Sequence, residues 1–325
     1  MPERLVRKRL VTVAGLLVVL AVVLAGCADD PSTPPRGLVI GSSDEPAMRV
    51  MAEVYAGALR NAGSVVSADQ LRGDMPTLLD EMDRAELDLF PGFTGELLTM
   101  LSPSSSAIGA EDVYRDLNRS LPQGVSVGDE TPVSAAPQIF VSTTLAGDVG
   151  ATGLADCARL PAGLPVAALG QPDAATMRAF ADAGCAFGPV ELVASSEDVL
   201  RRAAGGTAVG LLTPLEIAGE DADGTSSEVQ ALRTSQGGGD TADSPGTPAT
   251  DARPAGAEQA DQTGPRAEVL VPVFRSAALN RDQVKAMNKV AGEITTADLA
   301  TMSAEVDGGS DPREVALAWL GEHGL

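Results

Sequence analysis

Short apolar runs separated by helix-length amphipathic stretches recur along most of this chain, and that alternation restricts the fold more than any other feature. Residues 37–41 read as a short strand. Residues 46–62 carry Ala47, Met51, Val54, Tyr55, Ala58 and Leu59 on one helical face, with Asp44 and Glu45 ahead of Pro46 as a start signal. Residues 64–66 and 87–90 read as further strands around a helix over 76–85. The pattern resumes with strands at 138–141, 165–169, 190–193 and 207–212, and with helices at 173–183 and 196–204. Three helices close the chain, over 280–291, 296–304 and 312–322. The last has Asp311 as N-cap, Pro312 in the first turn and Glu314 as a returning acid. Strands alternating with helices of this length predict an α/β fold whose parallel sheet is flanked by helices.

Two stretches stand outside the alternation. Residues 236–266 contain no aromatic, Leu, Ile, Val or Met, so they cannot bury enough apolar surface to offset their ordering entropy. A disordered acidic insertion is expected there, because a strand-like run resumes at 268–274; a boundary between lobes is the alternative. At the other end, Arg4, Arg7, Lys8 and Arg9 precede an uncharged run over 10–24 that finishes in Leu-Ala-Gly-Cys at Cys27. A basic start, a short apolar stretch and small residues before a cut make a secretory signal peptide over 1–26. The run is shorter than the ~20 residues of a comfortable membrane span. Its ending resembles the lipobox of bacterial lipoproteins, which implies cleavage before Cys27 and acylation of Cys27; an uncleaved anchor is the alternative. Residues 27–36, polar and Pro-rich, read as a flexible tether.

Cleavage would remove four of the 23 basic and one of the 45 acidic side chains, moving the net charge from −22 to −25. Such a surface argues against nucleic acid, which requires basic groups to neutralise phosphates. It is also repelled by anionic headgroups, so membrane attachment is left to the lipid. Of three cysteines, Cys157 and Cys185 remain for an oxidising compartment and are expected to pair, with two free thiols as the alternative. The single histidine, His323, lies five residues or fewer from the end, so a His-dependent triad or multi-His metal site is not expected. No metal and no cofactor are anticipated.

Four segments resemble the extracytoplasmic substrate-binding lipoproteins of ABC importers for glycine betaine, choline, carnitine and related quaternary amines. They are LVIGSSDEPAMRVMAEVYAGAL from Leu38, ELDLFPGFTGELL from Glu86, GGTAVGLLTPLEIA from Gly205, and the run from Val271 to Leu325 with its ITTADLATMSAEVD and DPREVALAWL stretches. The resemblance implies a two-lobed, type II periplasmic-binding-protein-like α/β fold, crossed twice by the chain, with a ligand cleft between lobes. Residues 37–133 with 226–325 would form one lobe and 134–225 the other.

A quaternary ammonium is held by aromatic faces, because it donates no strong hydrogen bond. A ligand carboxylate seeks Lys, Arg or backbone N–H groups. Phe90 and Phe93 stand where the family has two tyrosines, and Thr94 and Gly95 match it directly; on the residues alone, Phe90 ends a buried strand and Phe93 packs beneath it. Ser43 replaces the family's Lys, and Asp44 and Glu45 follow. Ser42, Ser43 and Asp44 would make the cleft floor, although Asp44 as a helix cap is the plainer alternative. Gln138, after Pro137, and Thr213 and Glu216 would face them from the second lobe. Trp319, on an apolar helix face, is expected in the core.

These features lead to a monomeric, lipid-anchored solute receptor on the outer face of a bacterial cell membrane. It would bind a small cationic or zwitterionic solute and hand it to membrane permease subunits. A degenerate binding-protein fold serving as a cell-envelope scaffold or sensor is the alternative. An enzyme is not expected: an Asp44–Glu216 pair across the cleft could do acid–base chemistry, but carboxylates are too abundant here for the pairing to carry weight.

Overall fold

Chain order builds the first lobe from two separated stretches. Residues 36–218, 228–233 and 263–325 are described by a computed structural model. The expected signal peptide over 1–26, Cys27 with nearly all of the expected tether, and the expected insertion up to residue 262 lie outside them. The first stretch runs Gly41–Ser42 (β1), Pro46–Asn61 (α1), Leu71–Arg72 (β2), Met75–Asp83 (α2), Leu89–Phe93 (β3), Thr94–Leu101 (α3), Ala110–Ser120 (α4) and Val125–Val127 (β4). The second lobe follows with Gln138–Ser142 (β5), Thr143–Val149 (α5), a 3-10 turn at Leu154–Arg159, Val166–Ala168 (β6), Ala174–Asp182 (α6), Val190–Leu192 (β7), Ser196–Ala204 (α7), Val209–Leu212 (β8), Pro214–Ala218 (α8) and Val229–Leu232 (β9). The chain then re-enters the first lobe as Leu270–Arg275 (β10), Arg281–Glu293 (α9), Thr296–Asp307 (α10) and Pro312–His323 (α11).

The expected parallel sheet is only partly realised. In the first lobe β10 lies between β3 and β4, antiparallel to both, while β1 and β2 pair in parallel. In the second lobe the order is β7-β6-β8-β5-β9; β6 is parallel to β7 and β8, but β5 runs antiparallel to β8 and β9. Helical crossovers return a chain to the same end of a sheet and give parallel pairs. A strand entering from the other lobe arrives from the opposite end, and β5 and β10 both do so. Residues 64–66 contribute one bridge, Val66 to Leu38, and the paired strand falls later, at β2. The second-lobe pairing of β9 with β5 puts the return crossing after Leu232 rather than at residue 226.

Period-2 alternation sorts side chains between two cores in each lobe. Leu89, Leu270 and Phe274 face α1 and the C-terminal helices; Phe90, Val271 and Val273 face α2, α3 and α4. In β5, Ile139 and Val141 point one way and Phe140 the other. The helix α1 is the hub of the first core: α9, α10 and α11 all pack on it, and Trp319 is buried there. At Gly57 a Cβ would lie 2.3 Å from Leu320 Cδ1, so that glycine sets the approach of α11. The C-terminal helices start on side-chain caps. Asn280 and Thr295 form capping boxes with Gln283 and Asp298, and Asp311 accepts from the N–H groups of Arg313 and Glu314.

Pro272 in central β10 lacks a donor for β4. Gly128 N–H donates to Pro272 O at 2.9 Å, and the Tyr114 hydroxyl donates to Gly128 O at 3.0 Å in place of the missing amide. Asp88, just before β3, accepts from Val39 N–H at 2.8 Å through Oδ2 and from Arg275 at 2.6 Å through Oδ1. Because Asp88 is nearly fully buried, Asp88→Ala strands the Arg275 guanidinium and the Val39 amide. It is expected to cost about 3 kcal/mol, read as a lower urea midpoint with an unchanged slope.

Cys157 and Cys185 form a disulfide, both buried in the second-lobe core. The bridge spans 28 residues of sequence. Cys157→Ser with Cys185→Ser is expected to lower unfolding stability by about 3 kcal/mol, measured in urea against the oxidised protein.

Candidate functional site

The outgoing crossing runs beside the strand that re-enters the first lobe. Ser134 bridges Val269 in antiparallel sense, and Ala135 N–H donates to Glu268 O at 2.9 Å. Beside this ribbon opens a cleft of about 950 Å³. The first lobe contributes Glu45, Phe93, Glu96, Thr99 and Met100 to its wall, and α6 of the second lobe contributes Asp173, Thr176, Ala179 and Asp182. Residues 263–266 and Glu268 line it along the crossing strand. A smaller depression beside β7 is lined by the second lobe alone, where Arg201 and Arg202 are paired with Glu197, Asp198 and Glu191.

The expected site residues divide sharply by what their polar atoms do. Phe93 lines the cleft with one edge and the first-lobe core with the rest. Phe90 points the other way, fully buried against α2, α3 and α4. Thr94 is fully buried, and its hydroxyl accepts from Val269 N–H at 3.1 Å and reaches Ala267 O at 3.5 Å. It fastens α3 to the crossing strand. At Gly95 a Cβ would fall 2.5 Å from both Ala267 O and Glu268 Oε1, so the glycine admits that strand rather than leaving open space for a solute.

Ser42 is fully buried in β1, and neither Ser42 Oγ nor Ser43 Oγ has a hydrogen-bond partner among the described residues. Asp44 does not cap α1. Glu45 holds the N-cap position without a side-chain bond, and the exposed Asp44 lies 3.8 Å from Arg72 Nη1. Gln138 opens β5 in register with Leu212. Thr213 and Glu216 satisfy each other: Thr213 N–H donates to Glu216 Oε2 at 2.6 Å, and Glu216 N–H to Thr213 Oγ1 at 3.3 Å. This capping box starts α8, whose Leu215 packs on the first-lobe core; both residues therefore serve the junction of the lobes.

Apart from Phe93, the groups that meet in the cleft are not among the site residues expected from the sequence. Glu268 Oε2 accepts from Glu96 N–H at 2.9 Å, at the N-terminus of α3. Burial pushes the Glu268 carboxyl up to about 7; the Glu96 carboxylate adds to the rise, while N–H groups at Glu96 and Gly95 and the Arg266 charge oppose it. Glu96 itself is raised, chiefly by the protein around it and then by Glu45. Arg266 is committed elsewhere: Nε donates to Ala107 O at 2.9 Å, Nη1 to Thr99 Oγ1 at 2.7 Å and Nη2 to Ser105 O at 2.6 Å. Those bonds order residues 263–266, which composition had assigned to the insertion. On the facing wall Asp173 caps α6, accepting at 2.8 Å from both Ala175 and Thr176 N–H. Burial acts to raise Asp173, but its bonds from Thr176 and Ala175 outweigh that and leave it lowered. The cleft thus sets Glu45, Glu96, Asp173, Asp182 and Glu268 against one bound arginine. No group of three or more His, Cys, Asp or Glu fit to hold a metal occurs among the described residues.

Neither a family model nor a curated protein matches the chain. Solved structures do. Apo YehZ from Escherichia coli is similar at a TM-score of 0.59 and 16% identity, over 89% of this chain and 99% of that one. The crystal structure of a glycine betaine/carnitine/choline ABC transporter is similar at 0.60 and 13%, over 88% of this chain and 98% of the other. At these identities the likeness is one of fold: a two-lobed, type II periplasmic-binding-protein-like architecture. No helix among the described residues is long and apolar enough to cross a membrane.

A carboxyl raised in the folded state keeps a proton that the unfolded chain releases, so its contribution to stability fades as pH rises from about 4.5 to about 7. Glu268→Gln keeps the shape and the acceptor for Glu96 N–H without the charge. Wild type and variant are expected to melt alike near pH 4.5, with wild type falling behind by pH 8. Differential scanning calorimetry across that range checks the sign.

Proposed function

We propose that this chain is the solute-binding component of an ABC uptake system, held by lipid on Cys27 at the extracytoplasmic face of a bacterial membrane. One observation carries the reading: a cleft of about 950 Å³ opens between the lobes, beside the outgoing crossing and the strand that re-enters the first lobe. Ligand sites of two-lobed folds form at such places, and lobe closure around a bridging solute is the motion they permit. The fold shared with a glycine betaine/carnitine/choline ABC transporter supports a small cationic or zwitterionic solute, delivered by a monomer to membrane permease subunits. The cleft carboxylates offer a cationic solute charge of the opposite sign, beside the edge of Phe93. Glu45 and Glu96 would meet the solute from the first lobe and α6 from the second. The protein performs no covalent chemistry in this role and requires no cofactor.

Thermal unfolding of the purified chain with glycine betaine, choline, carnitine or putrescine tests the reading. A solute at about 100 times its dissociation constant is expected to add roughly 2.7 kcal/mol and raise the melting temperature. A flat response to all four at millimolar concentration would sink uptake of this class and leave a cell-envelope scaffold or sensor as the better account.

A further inference from the structure

A helix N-terminus that opens on a cleft is a natural seat for a solute's carboxylate, because its N–H groups point outward and its dipole favours negative charge. In this protein the seat at α3 is already taken. Glu268 Oε2 sits 2.9 Å from Glu96 N, and the missing side chain of Gly95 is what lets the carboxylate come so close. The one basic side chain on the cleft wall among the described residues, Arg266, spends Nε, Nη1 and Nη2 on Ala107, Thr99 and Ser105. A carboxylate entering the cleft would meet Glu45, Glu96, Asp173, Asp182 and Glu268 with no uncommitted cation among the lining residues. A cation would meet the same carboxylates with favourable sign.

We propose that Glu268 is the specificity-determining residue of the cleft: by filling the anion seat with the protein's own carboxylate, it selects solutes bearing a cationic head and no carboxylate and rejects zwitterions. This rests on the solute-binding reading above. Rejection is as much a part of the design as attraction, since a zwitterion would have to displace Glu268 or lie against it unpaired.

The inference also fixes a pH dependence. A bound cation favours the ionised form of Glu268, so binding releases a proton and affinity rises as pH passes through about 7. The charged groups that act on the carboxylate are Glu96 on α3 and Arg266 on the same strand, while Glu45 ahead of α1, Asp173 capping α6 and Asp182 at its end line the same cleft. Of these, Arg266 and Asp173 are held by hydrogen bonds to their own surroundings.

Isothermal titration calorimetry with choline and with glycine betaine, at pH 6 and pH 8, on wild type and Glu268→Gln, tests this. The two solutes share a trimethylammonium head and differ in the carboxylate. Wild type at pH 8 is expected to prefer choline by about tenfold or more, the worth of one charge-assisted hydrogen bond denied to the zwitterion. The preference should shrink at pH 6, and shrink at both pH values in Glu268→Gln. Equal or tighter binding of glycine betaine by wild type at pH 8 overturns the proposal while leaving solute binding in place. So does a choline preference that neither pH nor the variant changes. Heat from neither solute, with no thermal shift from carnitine or putrescine, overturns the solute-binding reading and this inference together. The wild-type ratio and its pH dependence decide the matter even where the variant folds poorly.

Discussion

Asp88 ties together three segments that are far apart in sequence. One carboxylate oxygen holds the Val39 amide ahead of β1 and the other holds the Arg275 guanidinium at the end of β10, while Asp88 itself leads into β3. The backbone repeats the connection, since Arg275 N–H donates to Asp88 O at 3.0 Å and Asp88 N–H to Val39 O at 2.8 Å. The first-lobe sheet is completed by chain that lies beyond the second lobe in sequence, because β10 fills the gap between β3 and β4. A buried ion pair adds little net stability, yet removing one partner is costly, and this asymmetry makes Asp88 a determinant of register more than a source of affinity between strands.

From that register the cleft follows. With β10 fixed against β3, the preceding residues 267–269 are delivered to the start of α3. There the Thr94 hydroxyl bonds Val269, Gly95 makes room, and Glu268 reaches the helix N-terminus. A segment that a solute-binding fold could leave open to its ligand is closed by the protein's own chain. The first-lobe wall therefore owes its chemistry to a residue on the crossing strand.

Much of the fold was legible in the sequence, and the reasons are local. Helices at 46–62, 280–291, 296–304 and 312–322 were readable because their apolar faces and cap residues lie within a few positions of one another. Strand direction was not, because it depends on which lobe the chain has just left. The same split runs through the site. Phe93 is legible through the resemblance of residues 86–98, which sets it where the family has a tyrosine, in a chain with only nine aromatic residues. Thr213 and Glu216, three apart around Pro214, spell a capping box, and each is the other's partner rather than a ligand's. Glu268 gave no signal beyond being one acid among 45. Arg266 was lost to composition: a segment without apolar residues reads as unordered, whereas a guanidinium with three oxygen partners orders it by hydrogen bonding.

Glu268 belongs to two structures at once. Its carboxylate stands in the cleft, while its carbonyl accepts from Ala135 N–H on the outgoing crossing. The outgoing crossing joins the two lobes, and a load applied at a joint needs no relay to be felt. A solute that drew on this carboxylate would pull directly on that joint, so occupancy and posture would be written into a single residue.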